Sequence, residues 1–527
     1  MKGMWKIAAF IGIAAFAQTK TSPDLCVPPP SGTAPALPAH IMTGQGKVHL
    51  AITTSNPKAQ EFFDQGLAQL HSFWAVEAER SFLQAAELDP EAAMPWWGVA
   101  MISAGDYRPR HQLEQGIYSA PAATRAKAAA ERAVALSGKS SDLEKMYIAS
   151  IVARRTSSDP DAGYISGLRA IVAKYPSEVE ARLFLSLHLM RGYELPSHTP
   201  RQDTMESVSI LRALLKEAPE HPGVHHYVIH AWEGSSFAKD AWPSCEKYAQ
   251  LVTNIPHALH MPGHIYAQTG RLADAEKSFS DAAVNELTYI HADALYGTGH
   301  HGHNVHYLST SYAFDGKYDQ AKEAARSLLE FKENPRELAQ VDGNFSAHRQ
   351  GWFALMRAMV LSENWDEILD GHSLPVYDRP REIAWRHWAM GLANASKGNA
   401  AGASEEARLM DGALRQYEEI VKKKAPEELT VARAELAGHI EVAEGKIGKG
   451  LKTLDNVAKV ERKMRYSEPV RYPRPVSEAL GEEALRHGKK AMAEAAFRLS
   501  LEEFPGSVRS VNGLRDAQKS GQVGVEF

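Results

Sequence analysis

The sequence is poor in the residues that build most chemical centres. Two cysteines in 527 residues cannot form a disulfide framework, a zinc ribbon or an iron–sulfur site. No apolar run reaches the roughly eighteen residues of a membrane-spanning helix. Neither charge sign dominates: 59 Lys and Arg face 64 Asp and Glu, a net charge of −5 with no basic block. That balance argues against nucleic acid and acidic membrane surfaces as partners. β-branched alternation is missing, and so are a phosphate loop, an HExxH pair, a nucleophile elbow and a CxxCH haem attachment. Gly297-Thr298-Gly299-His300-His301-Gly302 has the glycine spacing of a dinucleotide fingerprint, but it follows a helical stretch with no strand and is rejected.

The first residues read as an export signal. Lys2 and Lys6 supply the charged start, Ile7 to Ala17 the apolar stretch, and Ala15-Phe16-Ala17 the small-x-small cleavage pattern. A signal peptide over 1–17, cleaved near Ala17, predicts a periplasmic or secreted product. Residues 18–50 include the Pro/Gly/Ser-rich Cys26 to Pro38 and are expected to be a flexible leader. In an oxidising compartment Cys26 and Cys245 are able to pair, though sequence alone does not decide it.

Beyond the leader, Ala/Leu/Glu/Lys-rich stretches alternate with short Gly or Pro breaks, the pattern of an all-helical chain. Self-similarity is the stronger signal. Gly66, Ala78, Phe82, Ala85 and Pro90 have the spacing of a 34-residue helix–turn–helix unit. The unit returns at Gly263, Tyr266, Gly270, Ala275, Phe279 and Ala282, at Tyr312, Gly316 and Ala321, and at Gly391, Gly398 and Ala403. A last copy has Gly481, Gly488, Ala493, Phe497 and Pro505. Small residues permit close helix crossing, aromatics fill the gap, and proline ends the second helix.

This pattern resembles the tetratricopeptide repeat (TPR) superfamily over most of residues 58–520, with diverged copies expected at 110–220 and 335–460. The resemblance implies an all-α, right-handed α-solenoid whose first helices line a concave groove, commonly for a peptide or partner protein. N-terminal repeats are expected over 51–220, a histidine-rich central set over 221–335 and C-terminal repeats over 336–520.

Histidine is the surplus residue: 23 in the chain, 12 of them from His221 to His306. With the repeats aligned on Ser236, Gly270 and Gly316, His226, His260 and His306 share the fifth place of the unit. His230 and His264 share the ninth place, and His257 and His303 the second. In TPR proteins these places look into the groove, so His226, His230, His257, His260, His264, His303 and His306 are the candidate metal ligands. Imidazoles four residues apart share a helical face, the spacing that chelates one ion in helical metal sites. All-nitrogen ligation suits copper, zinc or iron rather than calcium or magnesium. Glu233, seven residues beyond His226 and three beyond His230, is the candidate further ligand or general base. His221, His225, His300 and His301 are assigned to loops or supporting roles. His71, His188, His348, His387, His439 and His487 are read as structural, and Trp96-Trp97 as core. The insertion Thr288 to Gly302 is expected to form a lid.

A narrower resemblance rests on HPGVHHYVIHAWE (221–233), HALHMPGHIYAQTGR (257–271) and HNVHYL (303–308), with the opening block 63–100 and the late YSEPVRYPRPVSEALGEEAL (466–485). Together they look like a set found in exported bacterial TPR proteins with histidine-rich central repeats. Val470-Arg471-Tyr472 departs from the usual late block, so Tyr466 and Glu468 receive no role. Two readings stay open: a metal-dependent enzyme, or a scaffold or carrier holding a peptide, a partner or an ion.

Overall fold

Helices account for nearly all regular structure in a computed structural model that describes residues 38–103, 105, 120–293, 296–331, 346–464 and 467–519. The signal-peptide segment, Cys26 and Tyr466 lie outside the described residues. The architecture is the all-α solenoid expected from the repeat spacing. Helical hairpins pair Pro57–His71 with Ala75–Leu88, Pro256–Gln268 with Leu272–Ala292, and Gly299–Phe314 with Tyr318–Glu330. In the C-terminal half they pair Pro380–Ser396 with Ala400–Val421, Glu427–Ala443 with Ile447–Glu461, and Val476–Arg486 with Lys490–Glu503. A two-stranded antiparallel ribbon, Tyr193–Glu194 with Thr199–Pro200, is a small departure from helix.

Local sequence explains where these helices start and turn. Prolines 57, 160, 222, 256 and 380 open helices, where a missing N–H costs nothing. Ser141 and Glu144 form a reciprocal capping box. Gly270 and Gly316 take the left-handed conformation (φ 82° and 75°) that reverses the chain between paired helices. In three hairpins a glycine faces the aromatic residue sixteen positions on. A Cβ at Gly66 would lie 2.8 Å from the Phe82 ring, at Gly263 2.7 Å from Phe279, and at Gly481 2.8 Å from Phe497. The missing side chain is what lets each helix pair close.

The main apolar core runs from Leu50 to Leu308 and a second from Ala325 to Ala517. The chain also folds back on itself. Phe504 stacks on Phe314 with ring centroids 5.1 Å apart, and the Gly506 backbone packs against Gly270.

Two expectations are corrected. The leader is fixed well before residue 50: Gly44 C=O accepts from Thr253 and Asn254 N–H at 2.9 Å, and the Gln45 amide donates to Asn254 O. The insertion is not a loop or a lid at its ends, because Thr288 to Ala292 complete one long helix and Gly299 to Gly302 begin the next. Helical hydrogen bonding continues through both, so His300 and His301 are helical residues.

Candidate metal centre

Three helices, Pro222–Trp232, Pro256–Gln268 and Gly299–Phe314, supply the histidines. His226 and His230 sit one turn apart with ring centroids 4.8 Å apart, as do His260 and His264. His257 bridges the helices, 5.1 Å from His226 and 4.7 Å from His260. His303 lies 5.2 Å from His260, and His300 4.9 Å from His260 and 5.8 Å from His257. Seven imidazoles thus form one continuous string, each between 0 and 7% exposed.

Within the string, three groups have nitrogens within 4.8 Å of one another: His226/His230/His257, His257/His260/His300 and His260/His264/His303. The first and last share no member and are repeat-equivalent. Each joins the fifth and ninth places of one helix to the second place of the next, because successive groove helices are staggered by about one turn. Two ions can therefore each take three imidazoles, with His300 left beside both.

The stagger also explains where the sequence reading fails. His306 holds the fifth place of the third helix, but its repeat-equivalent partners are Thr310 and Gln350, not histidines. Arg357 donates to His306 Nε2 at 2.9 Å and to Thr310 Oγ1 at 2.5 Å, and Gln350 also bonds the His306 ring. Burial and the Arg357 charge hold His306 far below its usual range. His306 is therefore withdrawn as a ligand. His300, assigned to a loop or supporting role, joins the string instead.

Most of the ring orientations are set by oxygen acceptors facing Nδ1. His226 Nδ1 donates to His71 C=O at 2.5 Å, His260 Nδ1 to Asn304 Oδ1 at 2.7 Å and His300 Nδ1 to Glu286 Oε2 at 2.8 Å. Glu233 receives His230 Nδ1 at 3.1 Å on one oxygen and His264 Nδ1 at 3.2 Å on the other. With the proton on Nδ1, the Nε2 lone pair points into the string. The Nε2 atoms of His226, His260, His264 and His300 are buried without a hydrogen-bond partner among the described residues. Buried polar atoms are seldom left so unless something else occupies them.

Glu233 therefore orients both histidine sites, each of its oxygens accepting one imidazole N–H. Burial works to raise its pKa, but His230 and His264 hold the carboxyl well below the usual range. Glu468, given no role by the sequence, lies 2.8 Å from His264 Nδ1. Burial disfavours the His264 imidazolium, yet Glu468 and Glu233 together raise it to about 9, so near neutrality an ion taking Nε2 there displaces a proton. Burial first, then His264, His300 and His303, push His260 far down.

The chain itself closes the groove around this string. Phe73 stands where Gly270 and Gly316 stand in their hairpins, with φ 54°. Its ring stacks on His230 at 5.3 Å and meets His226 edge-on at 4.5 Å. At the other end Tyr307 stacks on His264 at 5.2 Å.

A second buried group, His71/Glu180/His221, is near enough for an ion, but its imidazole nitrogens are taken up by hydrogen bonds. His221 Nδ1 accepts from Gly223 N–H, so Nε2 donates to Glu180 at 2.9 Å; His71 bonds Glu180 and Tyr227 Oη through its two nitrogens. His188, His387 and His439 pair with Asp161, Glu406 and Glu483, in keeping with structural roles. Trp97 is fully buried in the first core, and Cys245 is a buried thiol whose pKa burial pushes up.

The donor set fits a transition ion. Three imidazoles around zinc-like bond lengths need nitrogens about 3.4 Å apart, a small closure from the spread seen, and leave a coordination position for water or substrate.

No family model matches the chain, and no curated protein matches it. Matching solved structures include the human IFIT1 dimer with m7Gppp-AAAA, at 11% identity over 89% of this chain and 91% of that one, with a TM-score of 0.33. The APC/C hetero-tetramer Cut9–Hcn1 matches at 12% identity over 88% and 76%, TM-score 0.29, and the TPR domain of P58(IPK) at 11% over 87% and 97%, TM-score 0.23. Such scores transfer no site, partner or superhelical path. The helical-hairpin fold rests on the chain's own helix pairs.

Proposed function

We propose that this chain is a metalloprotein that holds up to two transition ions in its groove, each on three imidazoles with a position open for water, oxygen or substrate. The observation that carries the reading is the repeat-equivalence of His226/His230/His257 and His260/His264/His303, each with buried Nε2 atoms. Copper, zinc and iron suit the donors, and the open position suits a metal-dependent enzyme better than a closed structural site. Export, which the N-terminal pattern supports, would place the centre in the periplasm or outside the cell. A peptide or protein partner in this stretch of groove would have to displace Phe73 and Tyr307 from the histidines.

The test is elemental analysis of untagged mature protein purified without chelating resin. Two equivalents are expected for the parent chain, one each for His230→Gln and His264→Gln, and none for the double variant. Protein that neither carries metal nor retains it after incubation and desalting sinks the proposal.

A further inference from the structure

A cavity of about 520 Å³ opens beside the His260/His264/His303 site. Its lining reaches Tyr307, which stacks on His264, and Ser467 and Val470, which flank Glu468. The volume is that of an ordinary small-molecule site. Leu272, Phe314 and Leu501 give it apolar walls.

Its polar groups are unevenly matched. Arg462 at the wall is satisfied, bonding Glu503 at 2.5 Å and Glu502 at 3.0 Å. Lys239 and Arg471 also line the cavity, are exposed, and have no carboxylate at ion-pair distance among the described residues. Glu461 is the opposite case. The residue is only 7% exposed, no cation pairs with it at ion-pair distance among the described residues, and its Oε2 has no hydrogen-bond partner there. Burial, with Glu503 nearby, pushes this carboxyl up to about 8, so near neutrality it carries a proton and can donate it. Two unpaired cations at an apolar cavity, with a neutral acid as donor inside, suit an anion that has an apolar body.

We propose that this cavity binds a small amphipathic organic acid, drawn in by Lys239 and Arg471 and hydrogen-bonded by Glu461, with the Tyr307 ring between it and His264. Its binding to the cavity does not depend on the metal-site reading.

The test uses the full mature chain and octanoate as probe, with octanol as the uncharged control, by titration calorimetry. Octanoate should bind at least tenfold tighter than octanol. Glu461→Leu should weaken octanoate about tenfold, whereas Glu461→Gln, which still donates, should stay within about threefold of the parent. The double change Lys239→Glu and Arg471→Glu, confined to exposed side chains, should weaken octanoate about tenfold and leave octanol unaffected. Metal content, measured on the same samples, should not change in any variant. Equal binding of octanoate and octanol, or octanoate binding indifferent to both Glu461→Leu and the double charge change, overturns the proposal even if two metal equivalents are present.

Discussion

At the scale of single residues, Glu233 is the side chain on which both histidine sites lean, since His230 and His264 each donate a hydrogen bond to it. Glu233→Gln keeps the volume but offers one acceptor oxygen instead of two. Metal affinity should fall about 10–100-fold, the usual effect of losing an orienting partner, as read by competition with a chromogenic chelator. Glu286→Gln, which touches only His300 among the string, should leave two ions bound. His306→Gln should likewise leave metal content unchanged, because Arg357 and not an ion occupies its nitrogen. Six of the seven string histidines were legible in the sequence, since repeat register places side chains on a known face. His306 was misread because register says nothing about what the next helix brings opposite, and there Gln350 and Arg357 stand.

The elements show the same division between periodicity and placement. Hairpins were legible from the glycine–aromatic spacing, which is local and has one steric meaning. Phe73 was not, because a phenylalanine at a left-handed turn breaks the local rule. Such a conformation costs about 1–2 kcal/mol for a non-glycine residue and persists where surrounding contacts hold it. Here the contacts are His226, His230 and His257. Phe73→Gly should relieve the turn while opening that end of the string. The expected outcome is a small change in thermal midpoint with faster metal exchange from the His226/His230/His257 site, measured by stopped-flow transfer to a chelator. Exchange no faster than in the parent would show that Phe73 does not seal the site.

At the scale of the whole molecule, the C-terminal repeats reach back to the centre. Arg357 donates to Val470 C=O, Tyr472 and Trp388 donate to Glu435, and Glu468 is thereby carried to His264. The same region contains a pH-dependent stabilising pair, His439 and Glu483. Glu483 lies in surroundings where burial is outweighed by His439, which holds it down to about 2, so its contribution is present above about pH 4.5 and is lost as pH falls through 2. For His439, burial is outweighed by Glu435 and Glu483, and its pKa is raised. Its contribution is present below about pH 6.5 and is lost as pH rises through the raised value. The gap in thermal midpoint between the parent and Glu483→Gln should therefore be widest between about pH 4.5 and 6.5 and narrow on both sides. A gap independent of pH would remove the pair as its cause.

The sequence by itself determined the helices, their pairing into hairpins and the face on which the central histidines lie. Those follow from side-chain size and from periods of 3.6 and 34 residues, which act over short distances along the chain. Only the tertiary structure decided that the groove is closed, that the imidazoles divide into two equivalent sets, and that Glu468 and the Glu461 cavity adjoin one of them. These depend on contacts between residues as far apart as Phe73 and His230, or His264 and Glu468, which no local pattern encodes.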